Sequence, residues 1–66
     1  MSIDLSAVES ARRALIGRID GIISDLQSAN AELRGQRGIA AEEQIRKINT
    51  TISDYQSLRA RVSNLR

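Results

Sequence analysis

The chain has no cysteine and no histidine among its 66 residues, and Tyr55 is its only aromatic residue. Without Cys or His it cannot form disulfides or the common zinc sites. The usual general bases and nucleophiles are missing as well, so we predict that the protein is not an enzyme and holds no metal or cofactor. A single aromatic residue also argues against binding of single-stranded nucleic acid by base stacking.

The sequence also lacks long apolar runs and blocks of like charge. The longest uninterrupted apolar runs are two to three residues, far short of a membrane span. The N-terminus does not combine a basic region with an apolar block, as a signal peptide would. We therefore predict a soluble protein, either cytoplasmic or exported by a leaderless route. The net charge is +2, with acidic and basic residues interspersed throughout.

The segment from Leu5 to Leu33 has the heptad pattern of one long amphipathic helix, about 45 Å in length. Ile16 and Ile23 fall at the e positions and widen its apolar stripe. A stripe of this width is typical of a bundle helix rather than a narrow two-stranded zipper. The a positions are Leu5, Arg12, Ile19, Leu26 and Leu33, and the d positions are Val8, Leu15, Ile22 and Ala29.

The opposite face of this helix carries only small side chains, where a solvated helix usually carries long polar ones. Gly17 and Gly21 should each cost about 1 kcal/mol relative to Ala. We interpret them as allowing another helix to approach closely; the alternative is a tolerated weak point or kink on a solvated face. The predicted partner interface consists of Ala7, Ser10, Ala14, Gly17, Gly21, Ser24, Ser28 and Ala31.

Several signals compete for the start of the first helix. Ser2 and Asp4 are both suitable N-cap residues, and Ser6 and Glu9 have the spacing of a capping box. The helix start is therefore predicted only to within a turn.

Two glycines mark the connection between the helices. Gly35 fits the left-handed residue that ends a helix, and Gly38 can open the next one without steric cost. So short a connection makes the two helices antiparallel neighbours. We predict a first helix at about 4–34, a turn at 35–38 and a second helix at about 39–65.

The second helix has a matching apolar stripe. Antiparallel partners have residue numbers with a constant sum, and the two stripes pair at sums of 70 or 71, for example Leu26 with Ile45. The fold class is thus an all-α antiparallel two-helix hairpin over residues 1–66, completed by self-association into a helical bundle or larger helical assembly. The predicted hairpin core consists of Leu15, Ile19, Ile22, Leu26, Ile45, Ile48, Ile52 and Tyr55.

Two arginines fall on the predicted seam, the line along which the apolar stripes of the two helices pack together. Arg12 and Arg59 lie opposite one another in this pairing, where like charges repel and burial without a counter-ion is costly. In one interpretation both side chains reach out to solvent, Ala11 and Leu58 turn inward, and Glu9 neutralises the charge. In the other, this polar seam layer accepts a carboxylate from a partner chain and so fixes the pairing.

Part of the second helix resembles a known family. Ile52-Ser53-Asp54-Tyr55, followed by Arg59 and by Ser63-Asn64, resembles the second helix of type III secretion needle subunits, small exported helical hairpins that polymerise into a tubular filament. The general plan also resembles the helical-hairpin proteins of type VII secretion. Residues 34–38 contain neither the proline-containing turn of the first family nor the Trp-x-Gly turn of the second. The resemblances imply a secretion-related assembly protein.

Together these features predict a small structural or interaction protein that acts by helix–helix association. Its partner would be a second copy of itself or another helical protein, in a homo-oligomer or as an assembly subunit. The alternative is a dimeric helical bundle that binds duplex nucleic acid by shape and charge. The basic residues that would serve this alternative are Arg13, Arg46, Lys47 and Arg61.

Overall fold

Two long helices joined by a tight turn make up the computed structural model, which describes residues 4–65. Helix α1 spans Leu5–Arg34 and helix α2 spans Ile39–Ser63. They pack side by side as a hairpin with dimensions of 59 × 15 × 12 Å. The predicted all-α hairpin is confirmed, and the predicted helix limits of about 4–34 and 39–65 differ from the observed ones only at the outer ends.

Asp4 caps the start of α1. Its Oδ1 accepts hydrogen bonds from the backbone N–H groups of Ser6, at 3.0 Å, and Ala7, at 3.3 Å. The first turn of a helix leaves such donors without backbone partners, so a carboxylate here stabilises the helix end. Among the competing signals Asp4 is the N-cap. The Ser6 and Glu9 signal lies inside the helix, and Ser2 lies outside the described residues.

The turn uses its two glycines differently from the prediction. Gly35 has a right-handed conformation, with φ of −75°, whereas Gly38 has φ of +136°. The end of α1 closes through bonds from Gly35 N–H to the Glu32 carbonyl and from Gln36 N–H to the Leu33 carbonyl. These bonds tighten the last turn and need no left-handed residue. The chain instead reverses at Gly38, in a conformation that favours glycine.

The core between the helices is thin. Ile19, Ile23 and Val62 form the buried cluster, and Ala41 is also buried. Ile19 is the most buried of these residues, with 2% of its surface exposed. Half-buried side chains that pack against the cluster are Ile16, Ile52 and Tyr55.

The seam on α1 runs along the a and e positions rather than a and d. Ile16 and Ile23, both at e, pack in the core cluster with Ile19. Leu15 and Ile22, which were predicted to lie in the hairpin core, are instead 44% and 38% exposed. Both d and e flank the a positions. Rotation of α1 toward e brings its polar residues within reach of polar residues on α2, as described below. Half-buried members of the predicted core are Leu26, Ile45, Ile48, Ile52 and Tyr55.

The pairing of the two helices also differs from the predicted sums of 70 or 71. Those sums place residue 40 or 41 opposite Asn30, but Asn30 bonds to Asn49. They place residue 50 or 51 opposite Asp20, but Asp20 bonds to Arg59. In both pairs the observed partner on α2 lies beyond the predicted partner, toward the C-terminus of α2, by about two helical turns. Part of this displacement arises because side chains lean toward the N-terminus of their own helix, which increases the sum for antiparallel partners.

Candidate interaction surface

One side of the hairpin carries polar links between the helices. Asn30 Nδ2 donates a hydrogen bond to Asn49 Oδ1 at 2.7 Å. Arg59 Nε donates to Asp20 Oδ1 at 2.6 Å, and a second guanidinium nitrogen lies 3.4 Å from Asp20 Oδ2. We call this the polar side. Among the buried side-chain polar atoms of residues 4–65, the Oδ1 of Asn30 is the one without a hydrogen-bond partner.

Arg59, the cation of the ion pair on the polar side, keeps its charge over a wide pH range. The hydrogen bond to Asp20, and then the Coulombic attraction of its carboxylate, raise the pKa of Arg59 above the ordinary arginine value. A raised pKa means that the cation's contribution is complete below the ordinary value and is lost only as the pH rises through the folded one. This link between the helices therefore persists at and above neutral pH.

The other side of the hairpin is apolar. Val8, Leu15 and Leu65 line one groove of about 260 Å³, which places the d positions of α1 on the same side as Leu65 of α2. Leu58 lies seven residues before Leu65, and Ile22 seven after Leu15, so each continues the stripe of its helix. We call these five residues the apolar face.

Large hydrophobic side chains on the apolar face remain open to solvent. Each of the five is between 38% and 60% exposed, in a hairpin that buries only a small cluster of its own. Single exposed hydrophobic residues are common on protein surfaces, but contiguous apolar patches mark interaction sites. The apolar face is thus the best candidate for a contact with another chain.

Arg12 and Arg59 do not form the predicted polar seam layer. Arg12 forms an ion pair with Glu9, as one interpretation expected, and also donates to the carbonyl oxygens of Ser63, at 2.9 Å, and Leu65, at 3.4 Å. It therefore supplies donors to the C-terminal end of α2, whose last carbonyls lack helical partners. Arg59 turns to the polar side, as described above, because each arginine finds a carboxylate of its own.

Two neighbours of these arginines also differ from the prediction. Ala11 and Leu58 do not turn inward; both are exposed. Val62 fills the space between the helices at this end instead.

The face of small residues is open throughout. All eight residues of the predicted partner interface are exposed. A Cβ atom added at Gly17 or Gly21 would meet nothing within 4 Å. The described part of the hairpin therefore makes no use of this face, and no contact within residues 4–65 explains Gly17 and Gly21.

The basic residues of the nucleic-acid alternative are exposed on both helices. Arg13 Nε lies 3.8 Å from Glu9 Oε1, so this carboxylate partly offsets the positive charge of Arg13. Arg46, Lys47 and Arg61 are exposed along α2. In the described part of the chain, no group of three or more acidic residues is placed to hold a metal ion.

Neither α1 nor α2 has a stretch apolar enough to cross a membrane. The chain matches no protein-family model, and no curated protein sequence or solved structure matches it. Functional inference therefore rests on the geometry of the hairpin.

Proposed function

We propose that this protein is a small structural or interaction protein whose activity is helix–helix association, as a homo-oligomer or an assembly subunit. The observation that supports this proposal is the apolar face, where Leu15, Ile22 and Leu58 remain exposed beside a thin core. Covering that face with a second apolar surface would bury side chains that the hairpin leaves in water.

The size of the chain supports the same conclusion. Ordering a residue costs about 1.5 kcal/mol, and chains this short usually add disulfides, a metal or oligomerisation to a small core. The sequence has no cysteine or histidine to supply the first two. Association through the apolar face would supply the third.

The direct test is the absolute mass of the purified 7.3 kDa protein by light scattering, across a dilution series from about 100 to 1 μM, with helicity followed by circular dichroism. We expect a mass above that of the monomer at high concentration and a loss of helicity on dilution. A monomer of constant helicity at every concentration would contradict the proposal.

A matched pair of variants locates the contact. Leu15→Gln places a polar side chain on the apolar face and should lower the mass toward that of the monomer. Ile39→Gln makes a comparable polar change at a residue that is 78% exposed at the start of α2, outside the apolar face. It should leave the mass unchanged. Equal effects of the two variants on the mass would show that association does not depend on the apolar face.

Membership of a secretion system stays a prediction. It rests on the resemblance of Ile52-Ser53-Asp54-Tyr55 to needle subunits, and it adds a setting for an assembly subunit rather than a mechanism.

A further inference from the structure

Charged residues flank the apolar face on α1. Arg18 lies four residues before Ile22, and Asp25 lies three residues after it. Residues three and four apart are neighbours on a helix surface, so both charges border Ile22 on the same stripe. Both are exposed, and neither takes part in the ion pairs formed within residues 4–65.

Helix α2 has the same arrangement with the opposite signs. Asp54 lies four residues before Leu58, and Arg61 lies three residues after it. These two residues are also exposed and also take no part in the ion pairs of the described chain.

The side-chain ends of the two central residues, Ile22 and Leu58, lie at nearly the same height in the hairpin. Asp20 contacts Arg59 across the seam. Ile22 is two residues beyond Asp20, and Leu58 is one residue before Arg59. Because the helices are antiparallel, these short steps run the same way. The side chains of each helix also lean the same way, so the side-chain ends of Ile22 and Leu58, like those of Asp20 and Arg59, lie at nearly the same height.

The hairpin therefore has a charge pattern across its apolar face. Arg18 and Arg61 lie at one height and form a positive end, while Asp25 and Asp54 lie at another height and form a negative end. The Ile22 and Leu58 layer lies between the two ends.

We infer that the partner is a second copy of this chain, packed apolar face to apolar face about a two-fold axis through the Ile22 and Leu58 layer. This inference rests on the proposed function and names its partner. The axis places Arg18 against Asp25 of the second copy, and each pair occurs twice. It also places Asp54 against Arg61 of the second copy, again twice. Stacking the copies in the same direction would instead set like charges against each other, which is unfavourable.

A contact of this kind closes on itself. Each copy uses the same face, so the interface is isologous and ends at two chains. The result is a four-helix bundle in which every helix is antiparallel to its neighbours, with the polar sides outward. The opposite signs on α1 and α2 satisfy both helix pairs with one axis.

Charge reversal tests the inference. The double variant Arg18→Asp with Arg61→Asp makes all four flanking residues acidic, and Asp25→Arg with Asp54→Arg makes all four basic. We expect each to weaken the dimer by about tenfold or more in Kd, measured by sedimentation equilibrium. An equimolar mixture should recover the native mass as a heterodimer, which also shows that both variants fold.

The matched control is Arg37→Asp with Arg46→Asp, which changes the net charge by the same amount at exposed positions away from the apolar face. It should keep the native Kd. If the wild-type protein is a dimer but the flanking variants and the control behave alike, the charge pattern does not set the interface. If the wild-type protein is a monomer at all concentrations, the proposed function fails first.

The orientation of the second copy relative to the first is tested by crosslinking, which the absence of native cysteine makes simple. The axis brings Leu15, seven residues before Ile22, to Ala29 of the second copy, seven residues after. A mixture of the Leu15→Cys and Ala29→Cys proteins should form a disulfide-linked heterodimer on mild oxidation, and either protein alone should not. Efficient linkage of Leu15→Cys to itself, or species larger than a dimer, would overturn the inference.

Discussion

Asn30 donates a hydrogen bond to Asn49 from one helix to the other while its own Oδ1 lies buried without a partner in the described chain. Asn30 is 4% exposed, so this oxygen is removed from water at a cost of about 1–3 kcal/mol. A buried asparagine in a helical seam favours one alignment of the helices over others at the expense of stability. The pair thus defines which residue of α2 faces which residue of α1.

Replacing Asn30 by Leu should stabilise the hairpin and loosen its alignment. We expect the free energy of unfolding in urea to rise by about 1–2 kcal/mol, because the unpaired oxygen is lost and apolar surface is buried in its place. Amide resonances along α2 should broaden or split as alternative alignments become populated. Asn49→Leu removes the acceptor instead and leaves the buried amide of Asn30 without this partner, so it should lower the free energy of unfolding by about 1–3 kcal/mol. A clear loss of stability in Asn30→Leu would mean that the asparagine pair is net stabilising.

The position of the seam predicts unequal effects of two isoleucine truncations on α1. Ile19→Ala removes a buried side chain and should lower the free energy of unfolding by about 2 kcal/mol or more at every protein concentration. Ile22→Ala removes a side chain on the apolar face, so its effect should be large only where the protein is associated. Urea unfolding at two protein concentrations separates these cases. If Ile22→Ala has the same effect as Ile19→Ala at both protein concentrations, Ile22 packs in the hairpin core rather than on an exposed face.

Arg12 should stabilise the end of α2 through its bonds to the last carbonyls. Arg12→Ala removes donors to Ser63 and Leu65, and we expect a loss of about 1 kcal/mol in the free energy of unfolding together with faster amide exchange near Val62. Arg12→Lys keeps the charge but offers fewer donors and should give an intermediate result. If exchange near Val62 is unchanged in Arg12→Ala, the bonds are not maintained in solution.

The small-residue face leads to a prediction that separates the two candidate surfaces. Gly21→Ala meets open space and should stabilise α1 by about 1 kcal/mol. Gly21→Leu adds a bulky side chain outside the apolar face, so the associated mass should persist. If that variant is instead a helical monomer, partners approach through the small-residue face, as Gly17 and Gly21 first indicated.

The sequence alone predicted the two helices and the turn between them, since heptad spacing and glycines encode these locally. It did not predict which flank of the a positions faces α2. The d and e positions have equal spacing from the a positions. The choice between them depends on links such as Asp20 to Arg59, which are 39 residues apart in the chain. For the same reason the pairing sum was wrong, because local patterns do not define how far two helices are displaced.

The charges around the apolar face show the same limit. Arg18 and Asp25 are visible in the sequence as a pair seven residues apart, and so are Asp54 and Arg61. Their significance depends on the level relationship of Ile22 and Leu58, which the Asp20 to Arg59 contact supplies. Solvated charges are common on helices, so the spacing had no meaning until the two helices were aligned.

The side chains that close the hairpin and those that form the apolar face are different residues on the same helix. Ile19 and Ile23 hold the fold, while Leu15 and Ile22 contribute little to it. Evolution can therefore change one set without disturbing the other. In the dimer that we propose, a few exchanges around Ile22 after a gene duplication would let two sister chains prefer each other over themselves, with no change in the hairpin that presents them.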